Sequence, residues 1–209
     1  MKPLLNLTLC LLLLNACNES PAVTKSTLVP PLAKDTDTAL QNGTNQYAPV
    51  DVSPMDISYF PSDYPVSKMS RPEMGLPMAR VIYSRPHKQG RTIFGALLKW
   101  GERWRLGANE ATEMELFRDA TIQNKKVAKG RYVLYCIPQP DSWTIVFNTN
   151  LYSWGLKQDT TRDVYRFQIP ATKTTAPLEY FTMVFQKSGA GADLLMAWDD
   201  VTARLPISF

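Results

Sequence analysis

Along most of the chain, apolar and polar residues alternate with a period of two, the spacing of strands with one buried face. Met55, Ile57 and Tyr59 alternate with Asp56 and Ser58, which predicts a half-buried strand. Stronger strands are predicted at residues 79–84, 111–117, 130–137, 142–148, 164–169, 178–185, 192–198 and 201–207. Turn chemistry separates them at Lys129-Gly130, at Pro138-Gln139-Pro140-Asp141 and at Ser188-Gly189-Ala190-Gly191. Asp199-Asp200 reads as a further turn. In the 130–137 strand, Tyr132, Leu134 and Cys136 face one way while Val133, Tyr135 and Ile137 face the other. A strand apolar on both faces belongs at the centre of a sheet. Pro54, Pro61, Pro65 and Pro72 confine their region to an edge or to extended coil, because proline cannot donate to a ladder. Only Ile93, Phe94, Leu97, Leu98 and Trp100 have helical spacing, for about two turns.

Many short strands with one short helix predict an all-β fold, an antiparallel β-sandwich or jelly-roll-like domain over residues 51–209. A parallel α/β sheet needs repeated crossover helices, and the pattern contains none. Residues 18–50 are rich in Thr, Pro, Ala, Asp and Asn without apolar periodicity. Such a composition cannot offset its ordering entropy by burial. Together with Cys17 it is expected to be a flexible tether, residues 17–50.

The first residues carry the sharpest signal. Lys2 precedes an apolar run from Leu4 to Leu14, which ends in Leu14-Asn15-Ala16-Cys17. A small residue before the cut is what a signal peptidase pocket accepts. The Leu-x-Ala-Cys arrangement resembles a lipobox, so residues 1–16 are expected to be a lipoprotein signal peptide. Cys17 is then expected to be the lipidated first residue, carrying palmitate-type acyl chains. The run is shorter than the ~20 residues that span a bilayer. The expected location is therefore the cell envelope, with the protein held to a membrane, most simply the outer one, through its lipid anchor.

Composition adds little. A chain of 209 residues with 44% hydrophobic and 20% charged residues suits one globular domain with appendages. The net charge of +4 is mild and no Lys/Arg run exists, so nucleic acid is not an expected partner. Loss of residues 1–16 removes Lys2 and leaves +3. With Cys10 in the signal peptide and Cys17 acylated, Cys136 stands alone and reads as a core residue.

One segment concentrates chemistry. Arg85, Arg91, Arg103 and Arg105 share a short span with Asn109 and Glu110, interleaved with Trp100 and Trp104. Guanidinium groups present bidentate donors to carboxylate, phosphate or sulfate, and indoles floor carbohydrate sites. Arg85, Arg91, Trp104, Arg105, Asn109 and Glu110 are the expected ligand contacts. The competing reading is structural: long loops satisfy their own backbone with such side chains, and Arg105 with Glu110 forms an ion pair.

The phrases YSRP (Tyr83–Pro86), GR-x-IFG (Gly90–Gly95), WR-x-GANEAT (Trp104–Thr112), Gly130-x-Tyr132, Trp143 with Phe147-Asn148, and Trp154-Gly155 resemble the domain of unknown function 2911 family. The likeness covers about residues 51–209. It implies an all-β domain without an established activity. It also implies a bacterial, often exported lipoprotein of the Bacteroidetes and their relatives. Tyr83, Ser84, Arg85, Pro86, Gly90, Arg91, Phe94, Gly95, Trp104, Arg105, Gly107, Asn109 and Glu110 carry the motifs.

Catalytic signals are weak. His87 is the only histidine, so a multi-histidine metal site is excluded; it reads as a solvated loop residue. No phosphate loop follows a strand, and Ser84 lacks a nucleophile elbow. Glu110 is the one candidate acid or base. Glu113 and Glu115 alternate with Met114 and Leu116 and read as a solvated strand face. No metal and no cofactor is expected. The leading expectation is a lipid-anchored binding or interaction module for a small polar or anionic ligand or a glycan. The alternatives are an envelope hydrolase using Glu110 with an arginine partner, and a purely structural envelope protein.

Overall fold

The computed structural model describes residues 51–209; the signal peptide, Cys17 and the tether expected over 1–50 lie outside them. The strands are β1 (Met55–Phe60), β2 (Ala79–Ser84), β3 (Thr112–Leu116), β4 (Ala120–Ile122), β5 (Lys125–Val127), β6 (Gly130–Pro138), β7 (Ser142–Asn148), β8 (Asp163–Ser188) and β9 (Gly191–Ile207). Seven form one antiparallel sheet in the order β1-β2-β3-β6-β7-β8-β9, while β4 and β5 make a small separate hairpin. The doubly apolar strand β6 lies fourth of the seven, with Val133, Leu134, Tyr135 and Cys136 all buried.

The sheet is nearly closed into a barrel by its last hairpin. The 26-residue β8 begins beside β7, pairing Phe167 with Ile145 and Ile169 with Trp143. Register shifts after Lys173 and Leu178 bend it, and its far end reaches the opposite edge of the sheet. There Phe181 N donates to Pro86 O at 3.0 Å, Lys88 N to Glu179 O at 2.8 Å, and Phe185 N to Ser58 Oγ at 3.1 Å. Inside, side chains such as Val81, Met114, Leu134, Ile145, Phe167 and Met196 are fully buried.

Three sequence expectations are corrected. Residues 164–169 and 178–185 were expected as separate short strands, as were 192–198 and 201–207 with a turn at Asp199-Asp200, but β8 and β9 run unbroken through both breaks. The polar residues there sit on a bulged ladder, where Asp199 is buried, has φ 51° and pairs with Lys88. The helix expected at 93–100 is an irregular turn instead. Gly95 takes φ +83°, and a Cβ there would meet Trp100 Nε1 at 2.8 Å. The apolar spacing reports a loop folded onto the core, with Phe94 5.4 Å from Trp143. The short helix forms at α1 (Tyr64–Ser70), in the proline-rich stretch expected to be extended. Pro65 falls in its first turn, where a missing N–H costs nothing, and Ser67 Oγ donates to Asp63 Oδ2 at 2.7 Å.

The thiol of Cys136, the one cysteine among the described residues, is fully buried, and that burial pushes its pKa up, away from nucleophilic use. On the outer side of the sheet Asp163 gathers three donors. Tyr135 Oη and Asn148 Nδ2 each donate to it at 2.7 Å, and Arg166 Nη2 at 2.8 Å. Burial pushes the Asp163 carboxyl up, but these hydrogen bonds outweigh it and hold the carboxyl below its ordinary range. A depressed carboxyl stabilises the fold fully above its unfolded pKa of about 4, and that contribution is lost as pH falls through the native value. Asp163→Asn is therefore expected to cost about 1–3 kcal/mol at neutral pH. The difference from wild type should narrow as pH falls below the unfolded value and through the lowered native one, in urea melts followed by tryptophan fluorescence.

Candidate functional site

The site begins with a strand that is interrupted. Gly101 N donates to Pro138 O at 2.8 Å, and Trp104 and Cys136 exchange two backbone hydrogen bonds of 2.8 and 2.7 Å. Further along β6, Leu134 faces Thr112 at the start of β3. Residues 101–104 and 112–116 therefore occupy one line beside β6, and residues 105–111 are an excursion between two fixed ends. The motif residues hold that excursion in shape. Thr112 Oγ1 donates to Leu106 O at 2.6 Å, and Trp104 Nε1 to Gly107 O at 3.2 Å. A Cβ on Gly107 would stand 2.9 Å from Ser84 O, so only glycine lets the loop lie against β2. Asn109 takes φ 55°, a left-handed conformation asparagine tolerates, and donates to the Asp51 carboxylate and to Ser53 O.

A second loop, residues 149–162, packs against the first. Ala111 N donates to Ser153 O at 3.2 Å, and Arg105 Nη1 to Trp154 O at 3.1 Å. The Arg105 guanidinium lies 5.9 Å from the Trp154 ring centre. Gly155, at φ +80°, fits so tightly that a Cβ would stand 3.0 Å from Ala111 Cβ and 3.1 Å from Arg105 Cβ.

These loops wall a cleft of about 400 Å³. Trp104 and Trp198, stacked with centres 5.8 Å apart, line it together with Leu97, Leu98 and Leu156. Arg91, Arg103 and Arg105 line it as well, and no carboxylate does. Their hydrogen bonds go to backbone carbonyls: Arg91 to Lys88 O and His87 O, Arg103 to Gln158 O, and Arg105 to Trp154 O. Among the described residues none of the three is in an ion pair, whereas Arg80, Arg85, Arg131, Arg162, Arg166 and Arg204 all are. Burial lowers the Arg105 guanidinium from its ordinary value, opposed by the charge of Glu110. An environment that draws down a guanidinium in this way favours an incoming anion.

Of the residues expected from sequence, Arg91, Trp104 and Arg105 meet in this cleft. Arg85 instead contacts Asp56 at 3.4 Å and lies over the Tyr180 ring. Asn109 shapes the loop. Glu110 lines a neighbouring groove of about 420 Å³ with Tyr152 and Trp154. The expected Arg105–Glu110 ion pair is absent among the described residues, because Arg105 turns to the Trp154 carbonyl. His87 is not a solvated loop residue. Its ring stacks on Tyr180 at 4.3 Å, and Nε2 lies 3.0 Å from Glu179. Glu113 and Glu115 are ion-paired across the sheet with Arg131 and Arg80. Arg103, Trp198 and Leu156 are among the lining residues that the sequence left out of its site. Arg103 had a signal, since it sits inside the arginine cluster; Trp198 had none, lying more than ninety positions away.

The family model described as "Protein of unknown function (DUF2911)" matches residues 65–207. No curated protein and no solved structure matches the chain.

Gly155→Ala is expected to force the two walls apart. A loss of about 1–3 kcal/mol should appear in denaturant melts, from overpacking and from the strain of φ +80°.

Proposed function

Taking as premise that the chain belongs to the DUF2911 family, whose description assigns no activity, we propose that it is a lipid-anchored binding module for small anionic ligands. The carrying observation is a cleft lined by three arginines and no carboxylate, over an indole floor. Guanidinium groups bind carboxylate, sulfate and phosphate through paired N–H donors. A partly enclosed, apolar-walled cleft strengthens that attraction by keeping water away. Trp104, Trp198 and the leucines offer the ligand's uncharged part a surface. The Leu14-Asn15-Ala16-Cys17 sequence supports export, cleavage before Cys17 and palmitate-type acylation, in the manner of a bacterial envelope lipoprotein, and the family resemblance implies the Bacteroidetes or their relatives. Two or more acyl chains anchor stably where one does not.

Sulfate and phosphate are expected to raise the melting temperature of the full chain in detergent. A ligand at 100 times its Kd stabilises by about 2.7 kcal/mol. Arg91→Ala and Arg103→Ala should each weaken binding roughly tenfold or more, as expected for a charged hydrogen bond worth about 1.5–3 kcal/mol. Unchanged melting with both anions would overturn the reading. For the anchor, labelled palmitate should be incorporated by the wild type and not by Cys17→Ala, which should move to the soluble fraction. Normal membrane retention of Cys17→Ala would refute the lipoprotein assignment.

A further inference from the structure

The arginine cleft and the neighbouring groove share one wall. Arg105 and Gly155 line the cleft, Ala111 and Trp154 line the groove, and Arg105 is hydrogen-bonded to Trp154 O and lies over its ring. The groove differs from the cleft in chemistry. Tyr152 is 81% exposed and Trp154 54%, a large aromatic surface to leave in water. Each ring is steadied by a guanidinium, Arg131 at 5.2 Å from Tyr152 and Arg105 at 5.9 Å from Trp154. Arg131 Nη1 also donates to Tyr152 Oη at 3.1 Å, so this exposed tyrosine is held rather than free to turn.

Two carboxylates border the rings. Glu113 is committed to Arg131 and to Tyr152 N. Glu110 has no hydrogen-bond partner among the described residues. Steadied aromatic rings beside an unengaged acceptor match a sugar, whose C–H face packs on a ring while its hydroxyls donate to a carboxylate. A cationic ligand is disfavoured, because both rings already carry a guanidinium.

Resting on the anion reading of the cleft, we infer that the ligand is an acidic glycan. Its sulfate or carboxylate enters among Arg91, Arg103 and Arg105, and an adjoining sugar ring lies across the shared wall against Trp154 and Tyr152.

Calorimetry on the full chain tests this with four probes: inorganic sulfate, tripolyphosphate, a neutral trisaccharide and a heparin-derived tetrasaccharide. The tetrasaccharide is expected to bind at least tenfold tighter than sulfate, with the neutral sugar and tripolyphosphate gaining nothing comparable. Tyr152→Ala should remove most of that gain while leaving sulfate affinity within about twofold. Trp154→Ala should lower the tetrasaccharide-to-sulfate affinity ratio, and Trp154→Phe should restore it. If sulfate binds and depends on Arg103 but the tetrasaccharide adds nothing, the glycan inference is overturned and the cleft reading stands. The same holds if tripolyphosphate matches the tetrasaccharide, or if the gain survives both aromatic-to-alanine changes. Absence of sulfate binding overturns the cleft reading and the inference together.

Discussion

Two backbone hydrogen bonds between Trp104 and Cys136 organise the functional end of this molecule. They fix Trp104 to the central strand, in the line that β3 rejoins at Thr112. With both ends tied to β6, the seven residues between them must leave the sheet. A partly buried excursion has to satisfy its own polar backbone. Thr112 Oγ1 donates to Leu106 O and Trp104 Nε1 to Gly107 O, while Gly107 allows the close approach to β2 and Asn109 ties the loop to Ser53. The same anchoring sets Trp104 between Phe181, Trp198 and Trp143, at ring separations of 4.8–5.9 Å. The floor of the cleft is thus an extension of the core.

Charge is sorted around that floor. Arg80 and Arg131 are neutralised by carboxylates across the sheet, and Arg85 by Asp56. Arg91, Arg103 and Arg105 are tied only to carbonyl oxygens, which orient a guanidinium without cancelling its charge. Positive charge is therefore left uncancelled along the lining of the cleft. Closure of the sheet contributes as well, because the Pro86–Lys88 segment beside the cleft is held by its bonds to Glu179 and Phe181 on β8.

Much of the fold was legible in the chain. The Ala79–Ser84 and Ser142–Asn148 strands lie where alternation put them, and the two apolar faces of Tyr132–Ile137 marked the central strand. Alternation reports burial of one face, and in strands burial and backbone geometry go together. The failures came where they part. At 93–100 burial is real but the backbone is bent by Gly95. At Tyr64–Ser70 no residue is buried, so there was no periodicity to read, and prolines compatible with a first helical turn looked like breakers. At Asp199-Asp200, polarity resembled a turn although the ladder carries through.

The sequence alone determined where most of the paired strand segments lie, though not the β4–β5 hairpin or the continuity of β8 and β9, together with the family motifs and the local concentration of arginines with tryptophans, because each of these is a property of neighbouring residues. Only tertiary structure decided which arginines are left without a carboxylate, since those choices depend on Asp56, Glu113 and Glu115 arriving from other strands. It also decided that Glu110 faces a different groove from Arg91, and that Trp198 and Leu156 complete the cleft. Such facts arise when a long bent hairpin closes a sheet on itself, and side chains far apart in the chain then compete for the same partners.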